Sequence, residues 1–321
     1  WSADGSAIIW SATPIEVLHV LRAPGAVQHA VVFPDGDRVG TCTFTGVGIV
    51  WDAASGLALA EIYGRFMAVL PPGGGVLSWG HASWATISNA TSGVSMGRLQ
   101  EPGFHIYVAS ISPEGDRIIT GSSECSGGRH QVTVWDVASQ RALHHLRLAT
   151  RLLDIAVLRG GVVATLDVHG RLDTWSASGA FLRNVQDSAQ PLQRVFALQA
   201  FPTRADRLLA VARGAAFVWD VASGGVVRRL GGFPHLIRST AVSPGGDEVL
   251  ACGSDEVAIW EVSTGERVRS LIDPTSGRPW ADAPSHCILA TGAIRAFDPA
   301  GFGRGVPLRD LPRPASRSAP G

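Results

Sequence analysis

The sequence contains no lysine: all 27 of its basic residues are arginines. That absence excludes chemistry built on a lysine amine, including Schiff-base formation, the phosphate-binding lysine of a P-loop and the ATP-binding lysine of a kinase. Net charge is missing too. With 27 acidic residues against the 27 arginines the chain is neutral and its pI is about 7.3, so it has no overall electrostatic footprint for nucleic acid or an anionic membrane. Cysteine is scarce. Cys42, Cys125, Cys252 and Cys287 are far apart and form no CxxC pair, which argues against a zinc ribbon and against a disulfide-stapled secreted module. Cys42 and Cys252 stand in apolar strand contexts that suit a small buried residue. No stretch of 18 consecutive apolar residues occurs, and no charged-then-apolar leader stands at the front, so a soluble, cytoplasmic domain is expected. The first residue is Trp1, in mid-pattern, which suggests an excerpt from a longer chain fused to other domains.

What the chain does have is repetition. VWDAASG at 50–56, VWDVAS at 134–139, VWDVASG at 218–224 and IWEVSTG at 259–265 each run from apolar β-forming residues through Trp and an acid into a small-residue turn. From Trp10 to Trp51 is 41 residues, from Trp135 to Trp175 is 40, from Trp175 to Trp219 is 44 and from Trp219 to Trp260 is 41. A period of about 40–45 residues is that of four-stranded propeller blades. A ring of such units escapes the size limit on a single core, so one domain can account for nearly the whole length.

The repeat over 238–271 divides most plainly, into RSTAVSP, EVLACG, EVAIWEV and ERVRSL as strands a to d, joined by GGD and STG turns. The inner strands are almost continuously apolar and the last carries Arg and Glu, as suits an outer edge. The same template fits AVVF, RVGTCTF, VGIVWDAASG and LALAEIY in the second repeat, and recurs in the fourth, fifth and sixth. The third repeat has Ser88-Asn89 in place of Trp-Asp, and in an eighth, HCILATG, AIRAFDPAG and VPLRDL fit strands b, c and d. The first, at 1–21, is a half-repeat that supplies c and d only. The expectation is an all-β propeller over 1–311 with seven full repeats and a half-repeat, closing as seven or eight blades. The Pro-, Ser- and Arg-rich residues 312–321 read as a disordered tail or linker.

On the Trp-Asp pairs at 51–52, 135–136 and 219–220, the Trp-Glu at 260–261 and the turns PDGD, SPEGD and SPGGD, the chain resembles the WD-repeat β-propeller family over nearly its whole length. That family adds a Gly-His before strand a and an Asp in the b–c turn, which join Ser or Thr and Trp in a polar network. Here Gly80-His81 follows a b strand. Six residues before the strand-ending Trp, only Asp4 supplies the acid, while Thr45, Arg129, His169, Arg213 and Ser254 fill the other positions. These blades are therefore expected to rely on apolar packing and bulge geometry more than on the polar network.

Candidate chemistry is sparse. His144 and His145 are adjacent on a strand and point to opposite faces. His81, His130 and His169, with Asp167, fall near b–c loops around one end of the channel and read as solvated loop residues, with a channel metal as the alternative. Gly301–Gly305 reads as a c–d turn, Asn89-Ala90-Thr91 as a turn and not a glycosylation acceptor, and Trp280 stands outside the register. No cofactor is implied. Arginines gather at the d–a junctions, where Arg65, Arg151, Arg194 and Arg238 are joined by Phe66, Tyr107 and Phe196, the mixture typical of an interaction rim. The resemblance implies a non-enzymatic platform for a protein or peptide partner, with no role in nucleic-acid or membrane binding. The alternative is a propeller enzyme or small-ligand binder that uses the channel.

Overall fold

The computed structural model describes residues 5–297 apart from 13–14, 81, 186–194, 213, 232–236, 238, 244, 253–256, 272–285 and 291–292. Among these residues every regular element is a strand, and no helix is long and apolar enough to cross a membrane. Six sheets follow one another, each of four antiparallel strands in simple meander order. Blade 1 comprises Val27–Val32, Arg38–Thr43, Val47–Asp52 and Ala58–Tyr63 as strands a to d. Blade 2 follows with Phe66–Leu70, Gly75–Trp79, Trp84–Asn89 and Ser95–Gln100, and blade 3 with Phe104–Ile111, Arg117–Glu124, His130–Asp136 and Ala142–Leu148. Blade 4 comprises Leu152–Val157, Val163–Asp167, Leu172–Trp175 and Phe181–Asn184. Blade 5 comprises Val195–Ala200, Arg207–Ala212, Ala215–Asp220 and Gly225–Leu230, and blade 6 Ser239–Val242, Glu248–Cys252, Val257–Glu261 and Arg267–Leu271.

The all-β propeller of four-stranded blades is thus present, but the complete blades number six and not the seven full repeats expected. The eighth repeat contributes only the pair His286–Ala290 and Ala293–Phe297, and the N-terminal half-repeat only Ser6–Ala12 and Ile15–Arg22. The strand assignment also moves by one. His286–Ala290 lies beside strand a of blades 6 and 1, so it is innermost, and Ala293–Phe297 lies alongside Ser6–Ala12. The last segments are therefore a and b where b and c were expected, and the N-terminal pair follows them outward in the places of c and d. A weak repeat with no Trp to fix its register is read one strand out of step because HCILATG and AIRAF suit any inner strand. The segment VPLRDL, Gly301–Gly305, Trp280 and the tail lie outside the described residues.

Burial explains the layering. Strand b is covered on both faces, with all five residues of Gly75–Trp79 and of Val163–Asp167 buried, whereas strand d of blade 1 alternates and turns Ala60 and Ile62 inward. The core lies between blades. Trp219 packs with Ala156, Leu166 and Leu172 of blade 4, Trp260 with Leu209 and Val218 of blade 5, and Trp135 with Leu77 and Leu99 of blade 2. Cys42 is buried in the same way between blades 1 and 2, and burial pushes its thiol up to about 12.

The Trp-Asp motif does two jobs. Its Trp wedges blades apart, and its acid closes the c–d turn: the backbone N–H and hydroxyl of Ser55 both donate to Asp52 Oδ1, as those of Ser139 do to Asp136 and those of Ser223 to Asp220. Asn89 does the same for Thr91 and Ser92, which confirms that site as a turn. Each turn then packs on strand d of the preceding blade, covering an edge that would otherwise be open. At Gly93, φ is 70°, and a Cβ would lie 2.6 Å from the Glu61 carbonyl oxygen. The equivalent residue of blade 3 is Gln140, the one non-glycine at positive φ (56°) among the described residues, and its Nε2 donates to the Met96 carbonyl at 3.1 Å.

Candidate functional site

In a meander blade the b–c loops and the d–a connections share one end, and backbone bonds tie them into a continuous rim. Gly64 N–H donates to Gly46 O, Arg65 to Trp79 O, Glu101 to Ser83 O, Cys125 to Gly103 O and Val168 to Arg151 O. Four blades carry a bulge at the start of strand a, where Gln28, Tyr107, Leu153 and Phe196 are skipped in the ladder. Arg65 stands just before strand a of blade 2, at the matching place. The bulge takes the skipped residue out of the ladder's alternation, and of the four only Leu153 is exposed.

The expected rim residues divide three ways. Arg65 and Arg151 are exposed and Tyr107 is partly buried, and the last two meet, with the Arg151 Cζ 4.8 Å from the centroid of the Tyr107 ring. The Leu152 N–H donates to Tyr107 Oη at 3.0 Å, which fixes the ring under the guanidinium. Burial raises the Tyr107 phenol above its ordinary value, so it keeps its proton. Phe66 and Phe196 turn inward instead. Phe66 stacks on Trp79 with centroids 5.7 Å apart and meets His29 edge-on, and Phe196 packs against the core around Leu209 and Trp260. Arg194 and Arg238 lie outside the described residues.

The structure adds rim residues that the sequence did not single out. Trp84 opens strand c of blade 2, is 43% exposed and lies under Arg98, whose Cζ is 5.3 Å from the ring centroid. Leu153 and Val168 are each 44% exposed beside Arg151. The available signal was position: Trp84 stands outside the repeated Trp site, so inter-blade packing does not require it.

The polar network is also fuller than expected. Trp51, Trp135 and Trp175 donate Nε1–H to Thr41, Thr120 and Thr165 at 2.8, 2.9 and 3.0 Å, so three blades keep the Trp–Thr half of the pattern. In blade 3 the buried Glu101, in the d–a connection, accepts from the hydroxyls of Thr120 and Ser122 and from Gln131 Nε2 at 2.9 Å. In blade 4, Asp167 accepts from Thr150 Oγ1 at 2.7 Å and from the N–H groups of His169 and Arg171. The expectation that apolar packing and bulge geometry outweigh the polar network is narrowed, since blades 3 and 4 keep such a network. A Glu or Thr fills the role sought in a His, and the acid sits at the end of strand b and not six residues before the Trp.

Asp154, one residue beyond a bulge on the channel wall, links two blades. Its Oδ2 accepts the Leu198 N–H of blade 5 and its Oδ1 the Ile155 N–H, both at 2.8 Å. The residue keeps some exposure, yet packing around the carboxyl pushes it up to about 6 in spite of the two donors. The histidines stay apart. His130 Nδ1 lies 2.9 Å from Ser123 Oγ and His145 Nδ1 3.1 Å from Thr133 Oγ1, while His144 turns the other way, toward Gly179 of blade 4. His81 is outside the described residues. Among the described residues no group of three His, Cys, Asp or Glu side chains could hold a metal ion. The chain matches no protein-family model and no curated protein.

Proposed function

We propose that this propeller is a non-enzymatic, WD-repeat-like platform that binds a protein or peptide on the rim formed by its b–c loops and d–a connections. The observation that carries the reading is the company of side chains there. Arg65, Arg98 and Arg151 are exposed with no ion pair among the described residues, and Trp84, Leu153 and Val168 leave apolar surface beside them. Aromatic and Arg side chains on rigidly held loops are the mixture that dominates binding energy at interfaces. The interleaved backbone bonds hold these loops in place before a partner arrives, which lowers the entropy cost of docking.

The test is a random dodecapeptide library displayed on phage and selected against the immobilised protein. A parallel selection uses the double variant Leu153→Asn, Val168→Asn, whose changes fall on exposed positions. Peptides enriched on the native rim and lost on the variant support the platform. No enrichment, or enrichment that ignores both substitutions, sinks it.

A further inference from the structure

We propose that the segment received by this rim is an extended acidic peptide, anchored at two arginine–aromatic pairs that flank blade 3: Arg98 on Trp84 and Arg151 on Tyr107. The proposal rests on the rim being the binding surface and names the chemistry of its ligand. Its first support is the charge left over after internal pairing. At the other end three arginines meet carboxylates: Arg38 meets Asp35, Arg117 meets Asp136 and Arg207 meets Asp220. On the rim most acids among the described residues are occupied too. Glu124 pairs with Arg129 and Asp173 with Arg171, Asp167 accepts three internal bonds, and Glu101 faces the hydroxyls of blade 3. Among the described residues the unpaired charges there include Arg65, Arg98 and Arg151 against Glu61, a positive excess in a chain whose formal charge sums to zero. Glu61, the exposed acid closest in sequence to Arg65, holds on strand d of blade 1 the register position that Arg98 holds on strand d of blade 2, so one acid stands against these three arginines.

The second support is geometry. Stacking on an indole or phenol ring engages the face of a guanidinium and leaves its edge N–H groups free for a bidentate carboxylate. The ring also holds the side chain in place, so less freedom is lost when an acid arrives. Tyr107 is itself pinned by the Leu152 N–H, and Arg151 is pinned through its carbonyl, which accepts the Val168 N–H. Trp84, Leu153 and Val168 provide apolar contact beside the two cations, so the fitting ligand interleaves Asp or Glu with apolar side chains. A nucleic acid fits less well. Its phosphates would run continuously past Glu124, Asp167 and Asp173, and among the described residues the cations stand singly and not in a stripe.

The experiment sequences the rim-dependent peptides from the library above and measures one of them by fluorescence polarisation. The comparison ligands are its Asn/Gln counterpart and a single-stranded oligonucleotide. Expected are sequences enriched in Asp and Glu, and binding that weakens at least tenfold when the acids become amides. Binding should also weaken roughly tenfold for each of Arg98→Glu and Arg151→Glu, fall with added salt, and ignore Arg141→Glu on the opposite end. Rim-dependent peptides without acidic enrichment overturn this inference and leave the platform standing, as does an oligonucleotide that displaces the peptide at equal concentration. A library that yields no rim-dependent peptide overturns both. Unfolding midpoints of both charge variants within about 1 °C of the parent, as expected for exposed positions, keep a loss of binding from being a loss of fold.

Discussion

Glu101→Ala is the most incisive perturbation of this fold, because one side chain carries the blade-pinning role that the family pattern spreads over two. Glu101 is 3% exposed and accepts three side-chain bonds, from Thr120, Ser122 and Gln131, and Thr120 in turn accepts the Trp135 indole at 2.9 Å. A hydrogen bond to a charged acceptor contributes about 1.5–3 kcal/mol net, and the cost of burying the carboxylate offsets part of the sum. In the variant the two hydroxyls can rotate toward backbone carbonyls and Gln131 can reach water, so the expected loss is about 3 kcal/mol. For a domain of this size that lowers the unfolding midpoint by roughly 5 °C. Glu101→Gln keeps the shape and one acceptor oxygen and should lose about half as much. The assay is calorimetric unfolding of the native chain, both variants, Trp135→Phe and the Glu101→Ala, Trp135→Phe double variant, with amide exchange across 117–136 to localise the effect. A coupling of about 1 kcal/mol between Glu101 and Trp135 is expected from their shared contact with Thr120. If Glu101→Ala unfolds within about 0.5 kcal/mol of the parent, desolvation cancels the bonds and apolar packing alone holds the blade, which would refute the network.

Asp154 makes stability depend on pH. Its folded-state value of about 6 lies above the ordinary carboxyl value, so the folded chain holds a proton that the unfolded chain has lost between about pH 4 and 6. Its contribution is full below that window and is lost as pH rises through it. The midpoint of the native chain should therefore fall from pH 4 to 6 relative to Asp154→Asn, and parallel curves would show that the site does not titrate there. Gln140→Gly tests a strained turn. Glycine relieves the positive φ by about 1 kcal/mol, but the bond to Met96 O, worth a similar amount, is lost. The variant should sit within about 1 kcal/mol of the parent in denaturant unfolding, whereas Gln140→Val, which keeps the strain and loses the bond, should be the least stable of the three.

The blade itself was legible because three constraints coincide in few residues. The apolar run, the Trp and the turn-closing acid fix strand c, and the period then places the others. Asn89 shows how deep that signal runs: the Trp is gone, yet the turn is closed by the same side-chain acceptor at the same place. Where only apolar character remained, as in the last repeat, strand order slipped by one. The rim was less legible. Being near a d–a junction places a residue at one end of the ring, but the bulge together with the side chain's own chemistry sets its surroundings, and a bulge leaves no mark in composition. Tyr107 and Phe196 occupy the same skipped position, yet Tyr107 has an oxygen to satisfy and meets Arg151, while Phe196 has only apolar surface and packs against the core. Glu101 carries no signal in the sequence because a lone Glu in a d–a connection lies outside the Gly-His pattern, and only the folded blade brings it to Thr120, Ser122 and Gln131.

The division of charge between the two ends of the ring follows from the turns. At the a–b and c–d end the acids build structure. Asp52 and Asp136 lie below their ordinary values because the Ser55 and Ser139 hydroxyls donate to them, and Asp220 lies at about 2 because the Ser223 N–H does. Arg117 and Arg207 then cross from strand b to meet the Asp of strand c, so these charges are consumed within each blade. Among the described residues the b–c and d–a end has no such repeated acid, since its connections are closed by backbone bonds and by Thr or a single buried Glu. Two arginines there, Arg129 and Arg171, pair with Glu124 and Asp173, and two others, Arg98 and Arg151, settle on aromatic rings. Neutrality of the whole chain therefore coexists with one end where repeated acids close turns and hold Arg117 and Arg207, and another where Arg98 and Arg151 lie over rings.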